Sequence, residues 1–426
     1  MIRGRGNHWP SCGTAKRALP LMFVVIAATC FPLCNASAQT ATGNGSRQEV
    51  PEDQTHIRLG RIVLTPALTL RSGFDDNIFQ SENNPTSDVV STIAPRITLE
   101  GEWQDFRADI SAGMELGFFA QSSDDDYQDA DIRITSNIDL DTSTIEGGIS
   151  WQQSHDPRGG NDVASNAREP VIYQDINTHI SGRYVADRLR YESRLSLRRL
   201  EFDESTALDG TAIRNDDRNR TETTETLRAL IALDLDREAY GEITLNQRQY
   251  DRTPDDTGLT RDSAGFALYG GVRFDLTDLV KADLAAGWMT RTYADPAFGN
   301  IGDYTLRGDI DWSVTRLTSL NFNAARAVRE TTVTGASGIL AFDFGMGVSH
   351  ELRRWLQIGA TASYSNEQFQ QTTRRDQTGQ LGATIEYRMN RFTRLTGAID
   401  HDMRQSNTNG ESYRRFQSLI SLKLEI

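Results

Sequence analysis

Residues Ile62–Phe79 read IVLTPALTLRSGFDDNIF. At period two, Ile62, Leu64, Pro66, Leu68 and Leu70 fall on one side, and Val63, Thr65, Ala67, Thr69 and Arg71 on the other. One side is apolar; the other is small, polar and finally charged. This alternation predicts a strand with one face toward an apolar phase and the other toward water. The loop-like DDNIFQSENNPTSD follows, and a second alternating run opens at Val89.

The unit of strand, loop, strand and turn repeats to the C-terminus, giving eighteen alternating segments between residues 62–75 and 413–426. In Phe106–Phe118, Phe106, Ala108, Ile110, Ala112, Met114, Leu116 and Phe118 share one side, opposite Arg107, Asp109, Ser111, Gly113, Glu115 and Gly117. Val280, Ala282, Leu284, Ala286 and Trp288 likewise oppose Lys281, Asp283, Ala285 and Gly287. A helix would scatter these charges around its circumference. Tight connections such as Gln104-Asp105, Thr315-Arg316 and Arg353-Arg354 alternate with long polar ones, His155–Pro170, Asp203–Glu222 and Asp251–Ser263. Short turns on one side and long loops on the other predict an all-β fold, a transmembrane antiparallel up-and-down β-barrel of about 18 strands. The longest connection, near Asp203–Glu222, is shorter than a loop expected to fold into a pore. Aromatic residues gather toward strand ends, as two interfacial girdles would require. A soluble sandwich or propeller would also alternate, but it should show blade repeats or polar outward faces.

Composition agrees with an envelope protein. Arg3, Arg5, Lys16 and Arg17 precede the apolar run Leu21–Cys34, and Ala36-Ser37-Ala38 offers a cleavage site before Gln39. Residues 1–38 read as a secretory signal peptide, 39–58 as a flexible periplasmic N-terminal segment and 59–426 as the outer-membrane barrel. Beyond residue 38, 41 basic side chains face 59 acidic ones, and no cysteine remains. This excludes disulfides and thiolate metal sites and makes nucleic acid a poor partner. No apolar run is long enough for a transmembrane helix, and the mean hydropathy of −0.50 is compatible with a barrel, in which only alternate residues face lipid. His56, His155, His179, His350 and His401 have no ligand spacing, and no nucleophile elbow or phosphate loop is present. The expectation is a protein with no enzymatic activity, cofactor or metal.

The water-facing side carries the chemistry. Arg71, Arg96, Arg107, Arg133, Arg190, Arg194, Arg198, Arg273 and Arg307 alternate there with Asp109, Glu115, Asp139, Glu146, Glu192, Asp283, Asp309 and Asp311. Neighbouring opposite charges satisfy each other across strands. Planar guanidiniums can also hold carboxylates through two hydrogen bonds at once, as a conduit for acidic or hydroxyl-rich polymers would need. The final strand, Tyr413–Ile426, resembles the signal read by the outer-membrane barrel assembly machinery, although it ends in Ile426 rather than an aromatic residue.

Within Pro66–Phe79, a proline-bearing strand leads into Phe74, Asp75, Asp76, Asn77, Ile78 and Phe79. This stretch resembles the opening of the Putative beta-barrel porin 2 family. The resemblance implies an outer-membrane barrel of a Gram-negative bacterium, often associated with exopolysaccharide production. It also implies a periplasmic polysaccharide-export component as a partner, a polysaccharide as substrate, and no catalytic residues. Three functions remain open: exopolysaccharide export, general diffusion of small solutes, and a structural or adhesive barrel without transport.

Overall fold

A computed structural model describes residues 57–426, apart from Ser165, Thr277 and Asp278. The predicted signal peptide and residues 39–56 of the predicted periplasmic segment lie outside the described residues. Eighteen long strands follow one another. They are β1 (Ile62–Asp75), β2 (Asp88–Glu102), β3 (Phe106–Phe119), β4 (Tyr127–Leu140), β5 (Ser143–Asp156) and β6 (Val171–Ala186). Next come β7 (Leu189–Phe202), β8 (Arg220–Ala232), β9 (Arg237–Tyr250), β10 (Ser263–Leu276), β11 (Val280–Tyr293) and β12 (Ile301–Thr315). The last are β13 (Thr318–Arg329), β14 (Ile339–Arg353), β15 (Leu356–Phe369), β16 (Arg375–Arg388), β17 (Thr393–Ser406) and β18 (Tyr413–Glu425).

Each strand pairs antiparallel with its sequence neighbours, and β1 pairs with β18 (Ala67 opposite Glu425, Asp75 opposite Gln417), so the sheet closes. Closure gives each of the eighteen long strands a partner on both sides, which a lipid environment demands. Ile57–Leu59 turns back through Gly60 and Arg61 to pair with Ile62–Leu64, so the expected boundary between free segment and barrel falls inside a small hairpin. Gly60 takes a positive φ of 68°, which glycine adopts without steric cost. At two of the tight connections Asp141 and Asp187 also adopt positive φ, a conformation that aspartate tolerates better than most residues.

The outward side chains form an apolar belt. Ile97, Leu381 and Ile420 expose 51, 61 and 64% of their surface, and Ile132, Leu268, Ile385 and Ile399 are similarly open. Such a continuous band is compatible with lipid and not with water. The other face is concave. Side chains there meet across strands that are not neighbours: Arg71 on β1 reaches Glu115 on β3 at 2.6 Å, and Arg96 on β2 reaches Asp131 on β4 at 2.5 Å. Arg307 on β12 reaches Glu242 on β9 at 3.0 Å. Only the inside of a curved sheet brings such groups together.

Candidate functional site

The strand register places every charged residue singled out in the sequence on the concave face. Their surroundings differ. Arg190 meets Glu192 at 2.8 Å and Glu238 at 2.6 Å, and Arg198 meets Asp175 at 2.7 Å. Arg273 pairs with Asp283 at 2.9 Å. Glu146 receives His179 at 3.2 Å, and Asp139 receives the Thr144 hydroxyl at 3.1 Å. Arg107 pairs with Glu102 at 3.1 Å at the exposed turn-side rim. Asp109 stands opposite Glu100 and Thr135, Arg133 opposite Ser111 and Ser150. Asp309 stands opposite Asp283 and Asn323, and Asp311 opposite Lys281 and Asn321.

Glu242 and Arg228 form the centre of the densest network, and neither was among the sequence candidates. The fully buried Glu242 carboxylate lies between Arg228 at 2.5 Å and Arg307 at 3.0 Å. Arg228 packs over the Tyr240 ring and Arg307 over Tyr269, with guanidinium-to-centroid distances of 4.5 and 5.1 Å. Period-two parity puts both residues on the inner face. The meeting of Glu242 with Arg307, three strands away, depends on barrel curvature and leaves no local signal in the sequence.

The mouth on the long-loop side is crossed by the connection between β5 and β6. Its near end is seated by Arg158, whose Nε donates to Asp125 at 2.7 Å while its guanidinium lies 3.8 Å from the centroid of the Phe79 ring. Gly159 has φ 93°, and a Cβ there would lie 2.2 Å from the Phe79 carbonyl oxygen. The tip is moored on the opposite wall. Asn161 Oδ1 accepts from Arg404 Nη1 at 2.7 Å and Arg374 Nη2 at 3.0 Å, and its Nδ2 donates to Glu367 at 3.4 Å. Asp162 Oδ1 accepts from the Thr331 hydroxyl at 2.7 Å and the Thr332 backbone at 2.9 Å. These partners lie on β15, β17 and the connections after β13 and β15, halfway round the ring from β5. The longer 203–219 connection stays on its own side of the ring: Ser205–Thr206 pairs with Ala212–Ile213, Ala207 bridges Ala167, and Arg218 reaches Asp156 at the end of β5. The sequence expectation, that even the longest connection is too short to fold into a pore, overlooked that a shorter one crosses the mouth.

The Pro66–Phe79 motif sits where the barrel closes. Asp75 is buried and accepts from Arg415 Nε at 2.8 Å and Gln417 Nε2 at 3.1 Å, both on β18. Asp76 exchanges backbone and side-chain bonds with Phe416, and Asn77 Nδ2 donates to the carbonyls of Ser81 and Arg414 at 2.9 Å. Ile78 is buried, Phe79 supports Arg158, and Phe74 faces outward. The Pro66 carbonyl accepts from the Ile426 N–H at 3.1 Å, at the end of the seam. The motif therefore latches the first strand to the last and seats the crossing loop.

The model of the Putative beta-barrel porin 2 family matches residues 51–426, including this latch. The chain belongs to that family. With the apolar belt, this membership places the protein in the outer membrane of a Gram-negative bacterium, as a porin-like barrel. Among solved structures it is similar to the outer membrane protein OpdK of Pseudomonas aeruginosa, with 9% identity, a TM-score of 0.45 and coverage of 85% of this chain and 99% of that one. It is also similar to OccAB3 of Acinetobacter baumannii, with 11% identity, a TM-score of 0.43 and coverage of 85% and 99%. A ferric enterobactin receptor, PfeA, of P. aeruginosa shows 8% identity, a TM-score of 0.48 and coverage of 85% and 81%. A search of curated sequences finds no match.

Among the described residues, no group of histidine, cysteine and acidic side chains could hold a metal. In the long connection after β9, burial opposes ionisation of Asp255, but the Leu259 N–H, the Thr257 hydroxyl and Arg261 outweigh it. Together they hold the carboxyl below the usual carboxylate range.

Proposed function

We propose that this family member is a conduit for saccharide chains across the outer membrane, serving exopolysaccharide export. The observation that carries the reading is the inner wall, where guanidiniums are held flat by carboxylates and backed by the Tyr240 and Tyr269 rings. Paired charges keep the wall polar without a strong field of one sign, which suits a hydroxyl-rich chain that must slide. The tight turns would meet a periplasmic export component, and the residues lining the path would guide the chain without chemical conversion. The crossing segment at 157–164 is held by side-chain hydrogen bonds, so a polymer passes only by displacing them. That same segment favours a second reading, diffusion of small polar solutes, because a strap across the mouth restricts large molecules more than small ones.

The test is an in-frame deletion strain, with and without the gene restored. Secreted and cell-associated polysaccharide should fall and return on complementation. Unchanged polymer with reduced uptake of small solutes would overturn export in favour of the second reading.

A further inference from the structure

We infer that Arg194 anchors a carboxylate-binding subsite on the inner wall, one that holds an acidic sugar residue of the passing chain. This deepens the saccharide-conduit reading and rests on it.

Arg190, Arg194 and Arg198 stand in line on the inward face of β7, each about 13 Å from the next at the rise of a strand. The outer two are neutralised by Glu192, Glu238 and Asp175. Arg194 is not. It is only 8% exposed, yet no carboxylate among the described residues comes within ion-pairing distance, and its buried Nε has no hydrogen-bond partner. An enclosed guanidinium without an ion-pair partner is costly. Glu146 interacts with it electrostatically but stays beyond ion-pair distance, whereas its neighbours on the strand are closely paired. The register flanks Arg194 with Ser181 and Thr226. Thr226 shares a hydrogen bond with the Thr244 hydroxyl at 3.3 Å. Glu146, on the same row, is taken by His179.

What remains is a planar two-point donor set among hydroxyls. That is the chemistry that recognises a carboxylate on a polyhydroxylated ring. Asn177 adds an unpartnered buried acceptor, its Oδ1, about 13 Å along the same wall, where a sugar hydroxyl could donate.

The experiment is calorimetric titration of the full-length barrel in detergent with oligogalacturonate, maltohexaose and inorganic phosphate. Wild type should bind oligogalacturonate more tightly than either other probe. Arg194→Gln should weaken that binding roughly tenfold or more, the value of charge-assisted hydrogen bonds. Arg194→Lys, which keeps charge but loses the planar fork, should bind with intermediate affinity and also decides the matter if the glutamine variant does not fold. Absence of binding by wild type, equal affinity in all three proteins, or equal binding of the neutral or inorganic probe overturns the inference. The conduit reading fails separately: Arg194-dependent binding with unchanged polymer output in the deletion strain would leave the subsite standing on a barrel that does not export.

Discussion

The amide oxygen of Asn161 accepts a hydrogen bond from Arg404 Nη1 at 2.7 Å, joining residues 243 positions apart across the mouth of the barrel. The same oxygen accepts from Arg374 at 3.0 Å, so one neutral side chain holds two guanidiniums that are also paired with Glu411. Removing it leaves both arginines with carboxylate partners and loosens the strap, whose tip then keeps the Asp162 bonds to Thr331 and Thr332. Asn161→Ala should therefore fold normally, judged by heat-modifiable mobility on gels, and admit sugars into proteoliposomes several times faster. Swelling rates equal to wild type would show that the strap does not limit passage.

The seam depends on a buried acid. Asp75 is 3% exposed and its counter-ion Arg415 comes from the far end of the chain. Arg415→Ala strands that carboxylate, at a cost of about 3 kcal/mol. The double variant Asp75→Asn/Arg415→Ala should recover part of the loss. Urea unfolding of the purified barrel measures both, and an additive double variant would deny the coupling.

Glu242→Gln removes the only negative group that Arg307 meets within ion-pair distance among the described residues. The wall gains one positive charge where Arg228 and Arg307 converge. Chloride should then be favoured over potassium in a planar bilayer under a salt gradient. An unchanged reversal potential would mean that the pair does not face the ion path.

The loop after β9 should respond to acid. Because the folded-state pKa of Asp255 is depressed, its contribution to loop stability is complete above the unfolded value of about 3.9 and is lost as pH falls through the folded one. Asp255→Asn should thus be cut within residues 251–262 faster than wild type at neutral pH, with the two converging in strong acid. A difference independent of pH would assign the effect to shape rather than charge.

How much of this could be read beforehand depends on the length scale of each contact. The strands were legible because lipid and water impose a period of two on every crossing, as in Phe106–Phe119, and each segment carries that record alone. The inward orientation of Arg194 follows from the same parity. Its lack of a counter-ion does not, since that depends on which residues β6 and β8 bring beside it. The course of residues 157–164 was hidden for a related reason: HDPRGGNDVASNAREP has no periodicity, and Arg374, Arg404 and Thr331 become its partners only after closure. The motif at Phe74–Phe79 was visible as a pattern, whereas its work at the seam needed Arg415 and Phe416 in place.

A closed hoop of eighteen strands is easily flattened by the sideways pressure of a bilayer. The bonds that run from Asp125 and Phe79 through Arg158 to Asn161 and Arg404 act as a spoke across that hoop. They hold its diameter along one direction and leave the perpendicular one free. Cutting the spoke should let the cross-section turn oval, so a change at one loop would be felt in the tilt of strands that never touch it.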